Sequence, residues 1–247
     1  MRMLSATLTL GLILLAVGPT RAETDSCNVP GKLVETFARL PRVGFSVKRD
    51  HKLEILVLSA APKIAGEASS LKSYPYYLES ELRERLKGTD VHVYAQSEPR
   101  KTTIEIAKDL PRLLTERKPV LVIWQTGTVE AMRGIDPDGY GRTLDSGVAA
   151  LQNGGADVVL VNQQFSPRTD FMFDGIPYTE NMRWVSQTRD IPLFNRYEVM
   201  KYWGETGAFD LTALKNDGTY EKVHRCIGRL IADLVMRAAS LSGTVER

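Results

Sequence analysis

Leu53-Glu-Ile-Leu-Val-Leu58 is a nearly continuous apolar run, and Tyr76 to Leu86 and then Val91-His-Val-Tyr-Ala95 follow it. The middle segment sets apolar residues at Tyr77, Leu78, Leu82 and Leu86 among Glu and Arg, which is helical spacing, and Gly88 supplies a stop. An apolar strand, an amphipathic helix and a second strand form the unit of a parallel sheet covered on both faces. The unit recurs down the chain. Thr102 to Arg117 reads as a helix with a kink or break predicted at Pro111, and Val120-Leu-Val-Ile-Trp124 reads as the third strand. Asp138 to Asn153 is the next helix, closed by Gly154-Gly155, and Ala156 to Asn162 is the fourth strand. Glu180 to Thr188 reads as a helix, Ile191-Pro-Leu-Phe194 as a short fifth strand, and Glu221 to Ala239 as the final helix. The expected fold class is α/β, three layers deep, with a five-stranded, mainly parallel sheet. No internal repeat, low-complexity tract or linker interrupts it, so one domain is expected over residues 51–240, preceded by an arm (23–50) and followed by a tail (241–247).

The first 22 residues stand outside this pattern. Met1-Arg2-Met3 is a short basic segment, Leu4 to Val17 is mostly apolar, and Thr20-Arg21-Ala22 offers small residues at cleavage spacing. This is the pattern of a secretory signal peptide, with cleavage expected before Glu23. About 14 apolar residues fall short of the roughly 20 a membrane-spanning helix needs, and no later segment is longer. Cleavage removes Arg2 and Arg21 and no acid, so 30 basic residues balance 30 acidic ones in the expected mature chain. Nothing resembles the basic footprint of a nucleic-acid binder. The expected location is the periplasm or the exterior, with no membrane span after cleavage. In such an oxidising compartment Cys27 and Cys226 are either bridged or two separate thiols, one buried and one on a loose arm; the compartment favours the bridge. Two cysteines without a CxxC pair do not support a zinc site, and no P-loop, Rossmann glycine pattern or HExxH motif is present, so no metal or cofactor is expected. Asp136-Pro-Asp-Gly-Tyr-Gly141 lacks the later acidic positions of a calcium loop and reads as an Asp-Pro helix start.

Function in such a sheet concentrates at the carboxyl ends of the strands. The loops there are Ser59 to Ser73, Gln96 to Lys101, Gln125 to Gly134 and Gln163 to Thr179, with Asn216 to His224 leading into the last helix. Leu56-Val-Leu-Ser-Ala-Ala61, Ser73-Tyr-Pro75 with the helix after it, Val122-Ile-Trp-Gln-Thr-Gly127, Gln163-Gln-Phe-Ser-Pro-Arg168, Ile191-Pro-Leu-Phe-Asn-Arg196 and Asn216-Asp-Gly218 occur in the order and spacing of a known set of blocks. In these the chain resembles the SGNH or GDSL-type hydrolases, exported serine esterases and deacylases with a flavodoxin-like fold. The resemblance runs from about Lys52 to Ala238, and it implies a hydrolase of ester bonds.

The chemistry is not preserved with the blocks. By the resemblance, the nucleophilic Ser falls at Ala61, the oxyanion-hole Gly at Ser97, the oxyanion-hole Asn at Val129 and the base His at Tyr220; Gly127 and Asp217 are retained. Loss of a triad nucleophile or base alone costs on the order of 10⁶ in turnover, and loss of one oxyanion donor roughly 10² to 10³. The inherited esterase mechanism is therefore expected to be absent. A rearranged esterase or deacylase built on Ser59, His224 and Asp217 is the alternative, although a shift of two strand residues moves a Cα by about 6 to 7 Å. His51 and His92 read as structural.

With catalysis lost, the edge can still bind. Phe165 to Tyr178 mixes Phe165, Phe171, Met172, Phe173, Ile176 and Tyr178 with Arg168, Asp170 and Asp174. Aromatic faces, amides and an arginine suit a carbohydrate or an acylated ligand, and Tyr74, Gln125, Gln163, Arg168, Phe171 and Phe173 are the candidate contacts. The same aromatics equally fit a satellite core beneath a long loop. The expected function is thus that of an exported, catalytically inactive relative that binds a glycan, an acylated ligand or a protein partner.

Overall fold

The computed structural model describes residues 26–61, 72–212 and 218–241. The signal segment (1–22), Asp217 and most of the tail therefore lie outside the described residues. Strands β1 (Lys52–Ser59), β2 (Asp90–Ser97), β3 (Leu121–Gln125), β4 (Asp157–Val161) and β5 (Leu193–Phe194) form one sheet in the order β2-β1-β3-β4-β5, and every pairing is parallel. The sheet is thus wholly rather than mainly parallel, as crossover helices between all five strands require.

Alternation along the strands divides the core in two. Leu53, Ile55 and Val57 of β1, with Leu121, Ile123, Val159 and Val161, join Leu78, Leu82, Ile227 and Ile231 on one face. Leu56 and Leu58, with Val122, Trp124, Val158 and Leu160, join Ile106, Leu110, Leu144 and Val148 on the other. The first face is covered by α2 (Tyr74–Arg85), α9 (Arg196–Glu205) and α10 (Thr219–Ala238). The second is covered by α3 (Thr103–Ala107), α4 (Leu110–Arg117), α6 (Pro137–Asn153) and α8 (Ile176–Thr188). Near-continuous apolar strands are what two covered faces demand.

The break expected at Pro111 falls just before it. Helix α3 ends at Ala107 and α4 begins at Leu110, so Pro111 stands in the first turn of a new helix, where its missing N–H costs nothing. Asp136 caps α6 by accepting from the Gly139 N–H at 2.8 Å, which accounts for the Asp-Pro-Asp-Gly stretch. Four helices were not expected from the pattern: α1 (Pro41–Phe45), α5 (Thr128–Arg133), α7 (Pro167–Met172) and α9.

The N-terminal segment is no loose arm. Leu40 and Val43 are fully buried, the Leu40 N–H donates to the Ala238 carbonyl, and the Val43 N–H donates to the Asp157 carboxylate at 3.0 Å. Cys27 and Cys226 form a disulfide, with Cα atoms 5.0 Å apart. The segment is thereby tied to α10 at Cys226 and Ala238 and to the amino end of β4 at Asp157.

Candidate functional site

Parallel register sets the floor of the site. Ser97, Ser59, Gln125, Val161 and Phe194 are successive partners across the five strands, so all five chains leave the sheet at one edge. Beyond β1 come Ala60 and Ala61, which are half-buried. The Ser97 hydroxyl donates to the Ala61 carbonyl, which ties the ends of β1 and β2 together. Neither alanine has a side-chain atom able to attack a carbonyl carbon.

The turn after β3 is spent on its own structure. Gly127 has φ +95°, a conformation in which a side chain is strained. Its N–H donates to Glu130 at 3.2 Å, and the other Glu130 oxygen takes the Thr103 N–H. The Thr103 and Thr126 hydroxyls meet beside it. Glu130 is buried, and these donors hold it in place of a solvent shell. Val129 lies half-buried in the first turn of α5 and has no amide to offer. After β4 and β5, Asn162 donates to Asn195 at 2.7 Å and accepts the Tyr197 N–H at 3.0 Å, while Asn195 caps α9. This amide pair, Asn162 buried and Asn195 half-buried, joins the β4 and β5 loops.

The start of α10 carries the remaining expected residues. Tyr220 is half-buried, with its ring centroid 4.1 Å from that of His224. The Tyr74 ring is parallel to the imidazole, with centroids 6.2 Å apart. The Tyr74 N–H donates to His224 Nδ1 at 3.1 Å. A backbone amide can only donate, so Nδ1 is the acceptor nitrogen, and the proton of the neutral ring sits on Nε2. Burial, and then the nearby Arg196 cation, push the His224 pKa down to about 3. Ser59 makes no hydrogen bond to His224. An imidazole in this state donates through Nε2 and cannot take a serine proton there.

Of the candidate binding residues, Tyr74 is buried and its hydroxyl has no partner. Gln125 is half-buried at the end of β3. Gln163 is buried; its amide donates to the Gly175 carbonyl at 3.0 Å and to the Thr179 hydroxyl at 2.8 Å, so it organises the long loop from beneath. Arg168 is exposed on α7. The aromatics divide between the two readings open in the sequence. Phe165 and Tyr178 pack in the two cores and Phe173 packs partly, whereas Phe171 is 94% exposed and Met172 and Ile176 also face solvent. The exposed members border a cleft of about 780 Å³ with Tyr197, Arg183 and Lys201. The Tyr197 hydroxyl donates to Asp170, joining α7 to α9 across it.

Sequence reasoning did not single out Arg196 as a site residue. It is the first residue of α9, only 3% exposed, with Nη2 donating to Gln164 Oε1 at 3.1 Å and Nε without a partner. The asparagine cap followed by Glu198 is a helix-start signal that could have placed it at the head of a helix.

A family model described as "Non-GDSL lipase-like family" matches residues 26–241. No curated protein matches the chain. Among solved structures, TesA superposes with a TM-score of 0.55 at 20% identity, covering 73% of this chain and 98% of that one. The psychrotrophic esterase EstA from Pseudoalteromonas sp. gives 0.55 at 18%, covering 76% and 98%. A catalytic mutant of Axe2, an acetylxylan esterase from Geobacillus stearothermophilus, gives 0.58 at 14%, covering 78% and 97%. At these identities the likeness is one of fold: the three-layer, flavodoxin-like arrangement of SGNH-type hydrolases.

Proposed function

The chain belongs to the non-GDSL lipase-like family, and from that premise we propose that it is an exported binding protein which holds a glycan or acylated ligand at the carboxyl edge of its sheet without hydrolysing it. The observation that carries the reading is the state of His224, the imidazole at this edge: its Nδ1 accepts the Tyr74 N–H, and burial keeps it neutral at every physiological pH. At the positions the resemblance assigns to attacking oxygen, amide donor and base, this chain has alanine 61, valine 129 and tyrosine 220, none of which can serve that part. The cleft beside it supplies what binding needs instead. Phe171, Met172 and Ile176 offer apolar surface, and Lys201, Arg183 (paired with Glu180), Asp170, Asp174 and Glu198 line the cleft with charges of both signs. Export is supported by the disulfide, which an oxidising compartment maintains, and among the described residues no helix is long and apolar enough to cross a membrane.

The test is turnover of p-nitrophenyl acetate by purified, disulfide-bonded protein beside a Ser59→Ala variant and a protein-free blank. Both proteins should match the blank. Turnover by the wild type that disappears in the variant would establish the alternative, an esterase with a rearranged site.

A further inference from the structure

Arg196 is a buried cation that has no counter-ion among the described residues. Among the described residues no carboxylate pairs with it; one Nη2 hydrogen bond to Gln164 is its whole polar contact, and Nε is bare. The groups around it come from three elements: Tyr74 at the head of α2, Tyr220 and His224 in the first turns of α10, and Gln164 after β4. None carries a negative charge near neutral pH, since burial raises both tyrosines above the usual phenol range. The Tyr74 hydroxyl is a second buried polar group without a partner. A guanidinium placed this way is costly to the fold, and a well-packed apolar side chain of similar volume would be preferred if stability alone were served.

We propose that Arg196 and the Tyr74 hydroxyl receive the oxyanion, a carboxylate or phosphate, of the ligand. The inference rests on the binding reading above and names the charge of what is bound. A guanidinium fork matches two oxygens of such a group, and its fixed geometry is retained in a desolvated setting where lysine would lose its proton. The phenol adds a third donor. Neutral His224 neither repels the cation nor competes for the anion, and Tyr220, half-buried beside that imidazole, is a further neutral neighbour of the guanidinium.

The test compares wild-type protein with Arg196→Met and Tyr74→Phe by thermal shift and calorimetric titration. The probes are acetate and inorganic phosphate as bare oxyanions, glucuronate against glucose for a sugar acid, and octanoate against octanol for an acyl chain. Expected are a rise in Tm with at least one anionic probe and none with its neutral partner, loss of that response in Arg196→Met, and at least tenfold weaker binding in Tyr74→Phe. The Met variant should be as stable as the wild type without ligand, or more so, because it sheds an uncompensated charge. A lower Tm for unliganded Arg196→Met together with an intact anion response would make Arg196 a structural anchor of the Gln164 loop and overturn the proposal. Absence of any response in the wild type would overturn it too. Should Arg196→Met fail to fold, equal affinity of Tyr74→Phe and wild type would be decisive against it. Response to glucuronate or to octanoate assigns the oxyanion to a sugar acid or a fatty acid. Ester turnover accompanied by anion binding would remove the non-hydrolytic reading alone, whereas no turnover and no anion response would remove this inference alone.

Discussion

Acidification should weaken the fold through His224 in particular. The imidazole binds a proton with a pKa of about 6.5 when the chain is unfolded but only at about 3 in the native state, first because it is buried and second because Arg196 faces it. Its folded pKa is thus depressed. Above pH 6.5 both states are neutral and the site is indifferent; as pH falls, the unfolded chain takes up the proton first and stability drops until the folded pKa is reached. Between pH 7 and pH 5 the loss is about 2 kcal/mol, and by pH 3 it reaches about 4 kcal/mol, at roughly 1.4 kcal/mol per unit between the two pKa values. Among the described residues the groups facing the ring are Tyr74, Tyr220 and Arg196, and none of them titrates in the upper window. The assay is urea unfolding at pH 7 and pH 5 for the wild type and for His224→Gln, whose amide oxygen can still accept the Tyr74 N–H but takes no proton. The other acids and histidines are common to both proteins and cancel. The wild type should lose about 2 kcal/mol more than the variant over that interval. Equal losses in the two proteins would refute the assigned state of His224, and with it the argument that this imidazole cannot serve as a base.

Other consequences are as direct. The Cys27–Cys226 bridge spans 199 residues, so the Cys27→Ser, Cys226→Ser double variant should lose up to about 5 kcal/mol in urea unfolding. A Cβ at Gly228 would lie 2.7 Å from the Tyr77 Cβ and 2.8 Å from the Leu78 nitrogen, so Gly228→Ala should cost about 1 to 3 kcal/mol by forcing α10 off α2. Phe171→Ser should change stability by less than about 0.5 kcal/mol, because the ring is 94% exposed, yet weaken binding of whatever ligand the cleft selects, read by titration with the probe that responds.

How much of this was legible in the chain depends on what a residue's neighbours in sequence reveal. Leu53 to Leu58 and Val120 to Trp124 announce buried parallel strands because two covered faces leave no polar alternation to confuse the pattern. Helix α9 escaped notice: Arg196, Val199, Met200 and Trp203 are its buried residues, and an arginine in that set disguises the apolar stripe. Helices α5 and α7 have six residues each, less than two turns, too few for a period to register. At the site, alanine 61, valine 129 and tyrosine 220 are visible as residue types. The burial of Arg196, the tautomer of His224 and the division of the Phe165 to Tyr178 loop between core and surface depend on contacts across 30 to 150 positions, such as Tyr74 with His224, and no local pattern encodes them.

The central claim is that no nucleophile operates at the carboxyl edge, and the most direct test is covalent trapping. Purified protein is incubated with an excess of an activated fluorophosphonate, which labels serines that a base has sharpened, and its intact mass is measured, followed by peptide mapping. An unchanged mass is the predicted result. A stoichiometric phosphonyl adduct on a serine of this edge, Ser59 above all, would contradict it.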